Sequence, residues 1–194
     1  MAFGGYDAFD DPYSYEGTDT LINKLDLRDP LLLDAFESEM TTLRANEPLP
    51  DDSYDVQHYK RVHHHIFQDV YSWAGEYRTI RTSKGGNPFC FPEHIDAEMR
   101  KLFQGLADGP CLNAQDSNDF ISSVAHFLAE LNAIHPFREG NGRSQLAFVH
   151  LLGEKADFPL DFSRVRPETF LLAMIASYHG QLDPLVEELW RLLL

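Results

Sequence analysis

The chain has 194 residues, 43% hydrophobic and 24% charged, which suits one domain with a real core and excludes a wholly disordered chain. Acids outnumber bases 31 to 16, a formal charge of −15, so the surface repels phosphate backbones and nucleic acid is not an expected partner. Cys90 and Cys111 are too few for a disulfide framework or a zinc site and read as unpaired thiols. No apolar run approaches the ~18 residues of a membrane span, and the opening MAFGGYDAFDD lacks the basic and apolar regions of a signal peptide. A cytoplasmic protein without a membrane partner is expected.

Residues 1–19 hold five acids (Asp7, Asp10, Asp11, Glu16 and Asp19) and no Lys or Arg. They begin as a loose acidic arm, placed at residues 1–12, ahead of a domain over residues 13–194. Tyr6, Phe9, Tyr13 and Tyr15 are candidates to pin that arm to the body.

Asp29 followed by Pro30 is a helix N-cap with proline at the first position. Leu32, Leu33, Phe36, Met40 and Leu43 then recur at helical spacing up to Glu47-Pro48. A second helix is predicted over residues 55–71, with Tyr59, Val62, Ile66, Phe67 and Val70 on one face. Residues 77–81 (YRTIR) and 89–91 (FCF) read as two short strands around the turn-rich Ser83-Lys84-Gly85-Gly86-Asn87, a hairpin that needs a helical body to lie on.

Pro92 opens a helix to about Leu106. Residues 118–134 carry the strongest periodicity (Phe120, Ile121, Val124, Phe127, Leu128, Leu131) and read as the central buried helix. Further helices follow over residues 142–156, from Pro167, and after Asp183-Pro184. The expected fold class is all-α: a helical bundle of six or seven helices with a small β-hairpin flap.

The stretch that carries chemistry is His135-Pro136-Phe137-Arg138-Glu139-Gly140-Asn141-Gly142-Arg143, between the central helix and the next. Pro136 disfavours helical geometry at His135, so the imidazole projects from the helix tip. Gly140 and Gly142 permit positive φ, which lets successive N–H groups curl into an anion nest. The next helix points its unpaired N–H groups at the same spot. Arg143 adds a planar donor fork suited to phosphate. Glu139 at the mouth of the nest is a natural Mg²⁺ ligand, because that ion takes one or two carboxylates plus phosphate oxygens. A proton acceptor, a metal ligand and a phosphate cradle are the parts of phosphoryl or nucleotidyl transfer. Rival phosphate motifs fail: Gln145 stands where G-x-G-x-x-G needs its third glycine, and no G-x-x-x-x-G-K-[ST] occurs.

HPFREGNGR resembles the signature of the Fic family, H-x-F-x-[DE]-G-N-G-R-x-x-R. Tyr15-Glu16-Gly17-Thr18, Asn23-Lys24-Leu25, Phe67-Gln68-Asp69-Val70-Tyr71-Ser72-Trp73-Ala74-Gly75, Arg78-Thr79 and Ser83-Lys84-Gly85 resemble its flanking segments. The resemblance implies a Fic fold and transfer of AMP from ATP and Mg²⁺ onto a Ser, Thr or Tyr hydroxyl of a target protein. It implies His135 as general base, Glu139 as Mg²⁺ ligand, and the backbone N–H groups of Gly140, Asn141 and Gly142 around the phosphates, with Asn141's amide fixing their position. Arg143 would offset charge on the leaving pyrophosphate, Phe137 would anchor the loop, and Arg138 has no assigned role. The flap over residues 81–91 would register an extended target segment by strand addition.

Two departures from the pattern follow. Leu146 occupies the place of the second signature arginine, which usually contacts the terminal phosphate. The inhibitory pattern [ST]-x-x-x-E-[GN] has no match, so no intrinsic inhibitory motif is present. A small separate antitoxin-like inhibitor, as in a toxin–antitoxin pair, is then a candidate partner. The alternatives are a degenerate Fic module that binds nucleotide without transfer, and an enzyme using another nucleotide or a phosphoryl donor.

Other residues carry weaker readings. His63-His64-His65 cannot converge on one ion, because neighbouring helix positions point about 100° apart; one of them is expected to pack near the site. Lys84 is a candidate contact for nucleotide or target, set against a solvated turn residue. Trp73 and Trp190 read as core or anchoring side chains.

Overall fold

The computed structural model describes residues 11–50 and 53–194. Residues 1–10, with Tyr6 and Phe9 of the acidic arm, lie outside the described residues. Seven α-helices follow in order among the described residues: α1 (Pro30–Ala45), α2 (Val56–Phe67), α3 (Pro92–Asp108), α4 (Ser117–Ile134), α5 (Asn141–Ala156), α6 (Pro167–Tyr178) and α7 (Asp183–Leu192). Two antiparallel strands, β1 (Ser83–Lys84) and β2 (Asn87–Pro88), stand between α2 and α3.

Three helices start on aspartate caps. Asp29 accepts from the N–H groups of Leu31 and Leu32, Asp55 from that of His58, and Asp116 from that of Asp119. Each satisfies a first-turn donor that has no carbonyl inside the helix. Proline opens α1, α3, α6 and α7.

Helix α4 is the axle. Phe120, Ile121, Val124, Leu128 and Leu131 have no exposed surface, and α4 packs against α3, α5, α6 and α7. Helix α1 lies outside, on α2, which in turn meets α5. The apolar face predicted for α1 is narrower than its spacing suggests: Leu33 is buried while Leu32 and Leu43 face solvent. No helix among the described residues is long and apolar enough to cross a membrane.

Two expectations are corrected. Helix α2 ends at Phe67 and does not reach Tyr71; the N–H groups of Val70 and Tyr71 both turn back onto the Phe67 carbonyl, which buries Val70 and Tyr71 in the turn. Residues 77–81 and 89–91 are not the strands of the hairpin. The strands pair at Ser83↔Pro88 and Lys84↔Asn87 around Gly85-Gly86, where φ is +58° and +80°, with one further bond from Phe89 N–H to Thr82 O. Those two positive φ values suit the right-handed twist of a two-residue hairpin turn. Residues 77–81 instead cover the end of α4, for the reason given next.

Candidate active site

The site begins where α4 stops. His135 is left-handed, at φ +50° and ψ +63°, and its N–H donates to Leu131 O at 3.0 Å. Pro136 excludes the helical region for His135, and the left-handed turn ends the helix at a cost that the surroundings must offset. Arg78 supplies the offset. It is 2% exposed and donates from Nε to His135 O at 2.8 Å, from Nη2 to Ile134 O at 3.2 Å and Cys90 O at 2.5 Å, and from Nη1 to Ile80 O at 2.6 Å. Its backbone N–H adds a bond to Pro136 O at 2.9 Å. One cation thus satisfies the orphan carbonyls at the negative end of α4 and ties them to the flap.

The His135 imidazole is buried and lies flat on Phe89 of the flap, with centroids 3.9 Å apart and planes 10° apart. Nδ1 is 3.3 Å from Asn132 O. A carbonyl only accepts, so Nδ1 carries the proton and Nε2 keeps the lone pair. Burial pulls the pKa down to about 3, and the charges of Arg78 and Lys84 push the same way. The imidazole is therefore neutral at neutral pH. The Lys84 influence also places that flap residue near His135.

The loop that follows is pinned from below. Asn141 is fully buried; its Oδ1 accepts from Phe137 N–H at 3.0 Å and its Nδ2 donates to Phe137 O at 2.8 Å. The Asn141 amide thus fixes the loop by stapling both backbone groups of Phe137, itself buried in the core as expected. His63 supports Glu139. Its ring sits between Phe137 and Phe67, with centroids at 3.7 and 4.7 Å; Nδ1 accepts from Gly75 N–H at 2.8 Å and Nε2 meets Glu139 O at 3.0 Å. The accepting role of Nδ1 sets the tautomer, so Nε2–H donates to Glu139. Burial holds this histidine at a pKa of about 3. His64 is exposed and His65 reaches Arg44 O on α1, so the three histidines diverge as their spacing predicts.

Gly140 has φ +78°, and a Cβ there would lie 2.2 Å from the Phe67 ring, so only glycine fits. Gly142 differs from expectation: it lies within α5 and is absent from the positive-φ residues. Its missing side chain leaves open space, with nothing within 4 Å of where a Cβ would stand. The N–H groups of Asn141, Gly142 and Arg143 form the first turn of α5 and have no intrahelical acceptor. The Gly140 N–H donates to Oε1 of Glu139 at 2.8 Å, so the anion it serves here is that carboxylate.

Glu139 has a side chain 31% exposed, with Arg143 Nη2 3.6 Å away. Burial and the nearby Glu37 carboxylate raise its pKa. A carboxylate held short of full charge compensation, with Oε2 accepting no bond among the described residues, fits one Mg²⁺ shared with phosphate oxygens. No cluster of three or more His, Cys, Asp or Glu side chains competes for a metal among the described residues.

Arg143 is held by α1. Its Nη2 donates to Glu37 Oε1 at 2.5 Å and its Nη1 to Thr41 Oγ1 at 3.2 Å, and its guanidinium lies 4.6 Å from the Phe67 centroid. Arg138 also has a fixed place. It is 6% exposed and donates from Nε and Nη2 to Asp11 Oδ2 at 2.9 and 2.6 Å, which clamps the end of the acidic arm onto the loop. Arg78, Asp11 and Glu37 carry no local pattern that marks them as site residues. The signal that existed was weak: a triple histidine for His63, and an Arg78-Thr79 pair in a flanking resemblance.

A family model described as Fic/DOC family matches residues 53–152, the span from the start of α2 through the flap and loop into α5. A probable protein adenylyltransferase of Sinorhizobium fredii, y4lH, is 48% identical over 189 residues, covering 97% of this chain and 98% of that one. Among solved structures, the N-terminal Fic domain of a VirB-translocated effector from Bartonella quintana with bound ADP superposes with TM-score 0.85 at 28% identity, covering 94% of each chain. BepC from Bartonella tribocorum with bound AMPPNP gives 0.84 at 27% identity, covering 94% of this chain and 96% of that one. Sequence signature, loop geometry and these likenesses agree: the chain belongs to the Fic/DOC family.

Proposed function

We propose that this protein transfers AMP from ATP to a Ser, Thr or Tyr hydroxyl of another protein. The observation that carries the reading is the neutral, desolvated His135, with its Nε2 lone pair, at one end of a loop whose other end is the donor-rich start of α5. The naming of y4lH as a probable protein adenylyltransferase and the ADP and AMPPNP in the two Bartonella structures support the same chemistry.

In this reading the target hydroxyl oxygen attacks the α-phosphorus while its proton passes to His135 Nε2. The bond from the α-phosphorus to the oxygen bridging to the β-phosphate breaks, and pyrophosphate leaves. The backbone N–H groups of Gly140, Asn141 and Gly142 hold the phosphates, with the Arg143 guanidinium beside them. Glu139 would hold Mg²⁺, which when bound offsets phosphate charge; turning toward it frees the Gly140 N–H for a phosphate oxygen. An arriving polyanion also raises the proton affinity of His135 from its resting value.

The flap has one edge suited to a target. Phe89 N–H donates to Thr82 O, so Thr82/Phe89 is a hydrogen-bonded pair and the Ser83/Pro88 pair points its groups outward. On β2, Pro88 has no N–H and its carbonyl accepts from Tyr178 of α6. Ser83 on β1 is then the position where an extended target segment adds, with Lys84 beside it. A small separate inhibitor, in the manner of an antitoxin acting in the cytoplasm, belongs to the same proposal, since the chain carries no [ST]-x-x-x-E-[GN] segment.

The test is incubation with Mg²⁺ and α-labelled ATP, GTP, CTP or UTP in a cell lysate. Labelling from ATP is expected, and His135→Ala should lower it by about 10²–10⁴-fold. Equal labelling by the variant ends the assignment of His135. Labelling from a different nucleotide points to Leu146, a half-buried apolar side chain at the second arginine's place, as what changed donor choice.

A further inference from the structure

Resting on the nucleotidyl-transfer reading, we infer that Glu37 of α1 is a positioning residue for the nucleotide: it grips one edge of Arg143 so that the other edge faces the anion cup. Glu37 lies on a mostly exposed helix, yet its side chain is only 13% exposed. Oε1 accepts from Arg143 Nη2 and Oε2 accepts from the Tyr71 hydroxyl. One turn on, Thr41 Oγ1 donates to Glu37 O at 2.7 Å and accepts from Arg143 Nη1 at 3.2 Å. With Phe67 under its face, the guanidinium is fixed on three sides, and Nε has no partner among the described residues.

Packing alone gives no reason for a carboxylate here. Arg143 Nη2 lies 2.5 Å from Glu37 Oε1 and 3.6 Å from Glu139 Oε1, so two like-charged carboxylates crowd one nitrogen. An apolar side chain would seat α1 at least as well, because burying an ion pair gains little stability over burying apolar groups. What the carboxylate adds is direction. An arginine side chain loses much rotamer freedom when it binds phosphate, and a pre-formed clamp removes that cost in advance. Leu146 stands where the family signature has a second arginine, so more of the phosphate grip falls on Arg143 and its aim matters more.

The experiment uses the full chain with Glu37→Ala, Glu37→Gln and Thr41→Val, each checked by thermal melting. ATP–Mg²⁺ binding is measured by calorimetry without target, and transfer kinetics with it. Glu37→Ala should weaken ATP binding and raise the KM for ATP by about tenfold, with kcat changed far less. Glu37→Gln, whose Oε1 can still accept from Arg143 while its Nε2 donates to a reoriented Tyr71 hydroxyl, should recover most of the affinity, and Thr41→Val should lose about two- to threefold. A purely structural role would lower the active fraction, and hence kcat, at unchanged KM. Unchanged ATP affinity in Glu37→Ala overturns the inference, as does tighter binding, which would mean that Glu37 competes with phosphate. If Glu37→Ala does not fold, Glu37→Gln and Thr41→Val decide, and two unaltered affinities overturn it equally. Calorimetry needs no target: a wild-type protein that binds ATP but labels nothing sinks the transfer reading and leaves the Glu37 comparison standing.

Discussion

The catalytic loop and the flap meet at one stacked pair, His135 and Phe89, but they are held very differently. Between His135 and Arg143 the loop is tied to α1, to α2, to residue 78 and to the chain at Asp11, mostly through buried side chains. The flap has two strands of two residues each, and its hydrogen bonds to the body include Cys90 N–H to Ala133 O, Cys90 O to Arg78 and Pro88 O to Tyr178. In the proposed function the loop presents donors in one arrangement to a polyphosphate, which suits its over-determined geometry. In the proposed function the flap takes up extended target backbone along its Ser83 edge, which asks for less fixing. Arg78 is the hinge between the two, because it serves carbonyls of both.

The sharpest way to break this contrast is therefore at Arg78. Arg78→Met keeps an apolar stem and removes every donor, leaving buried carbonyls of Ile134 and His135 without their partner. A loss of about 3 kcal/mol in folding stability is expected, read from the urea midpoint. Loss of the Arg78 charge also removes one cause of the low His135 pKa, so that pKa should rise from about 3, as followed by NMR titration. A stability change near zero would show that the left-handed turn at His135 holds itself.

This ordering of importance was only partly legible in the chain. The helices were readable because their signals are local: the Asp29 cap acts within three residues of itself, and the apolar residues of α2 and α4 recur every three or four positions. The signature over residues 135–143 is contiguous, so its chemistry was readable too. The supports are not local: Arg78 reaches His135 across 57 positions, His63 reaches Glu139 across 76, Glu37 reaches Arg143 across 106, and Asp11 reaches Arg138 across 127. Composition misled at residues 77–81, whose β-branched and aromatic character suits a strand; Arg78 there is instead drawn onto the end of α4. Leu32 and Leu43 show the same limit, since helical spacing does not say how much of a face a neighbour covers.

A second test compares acid sensitivity. His63 and His135 have folded pKa values of about 3 against an unfolded value of 6.5. Their folded state favours the neutral ring, so the stability they contribute is present above 6.5 and is lost as pH falls from 6.5 toward 3. Each should add about 1.4 kcal/mol per pH unit to that loss once its unfolded form is protonated. Glu139, with a raised pKa, works in the opposite sense: its share is lost as pH rises through its folded value. His63→Gln isolates one histidine. Its stability–pH slope between pH 6 and 5 should be shallower than that of the wild type by about that amount. Parallel slopes would mean that His63 is not held neutral beneath the loop.

The smallest expected effect is on the flap itself. Tyr178 donates its hydroxyl to Pro88 O at 2.5 Å and meets the Phe89 ring edge-on at 6.3 Å. Tyr178→Phe keeps the ring contact and deletes the hydrogen bond, which should cost about 1 kcal/mol or less of global stability. The local change should be larger in proportion, because the short flap loses one of its hydrogen bonds to the helical body. Amide exchange at Phe89 and Cys90 should quicken, while exchange at Phe137, whose N–H is locked by Asn141, stays as it was. If Phe137 quickens along with the flap, the two regions open as one unit; the division between a fixed loop and an adaptable flap then fails, and Phe89 on His135 becomes part of the loop's own scaffold.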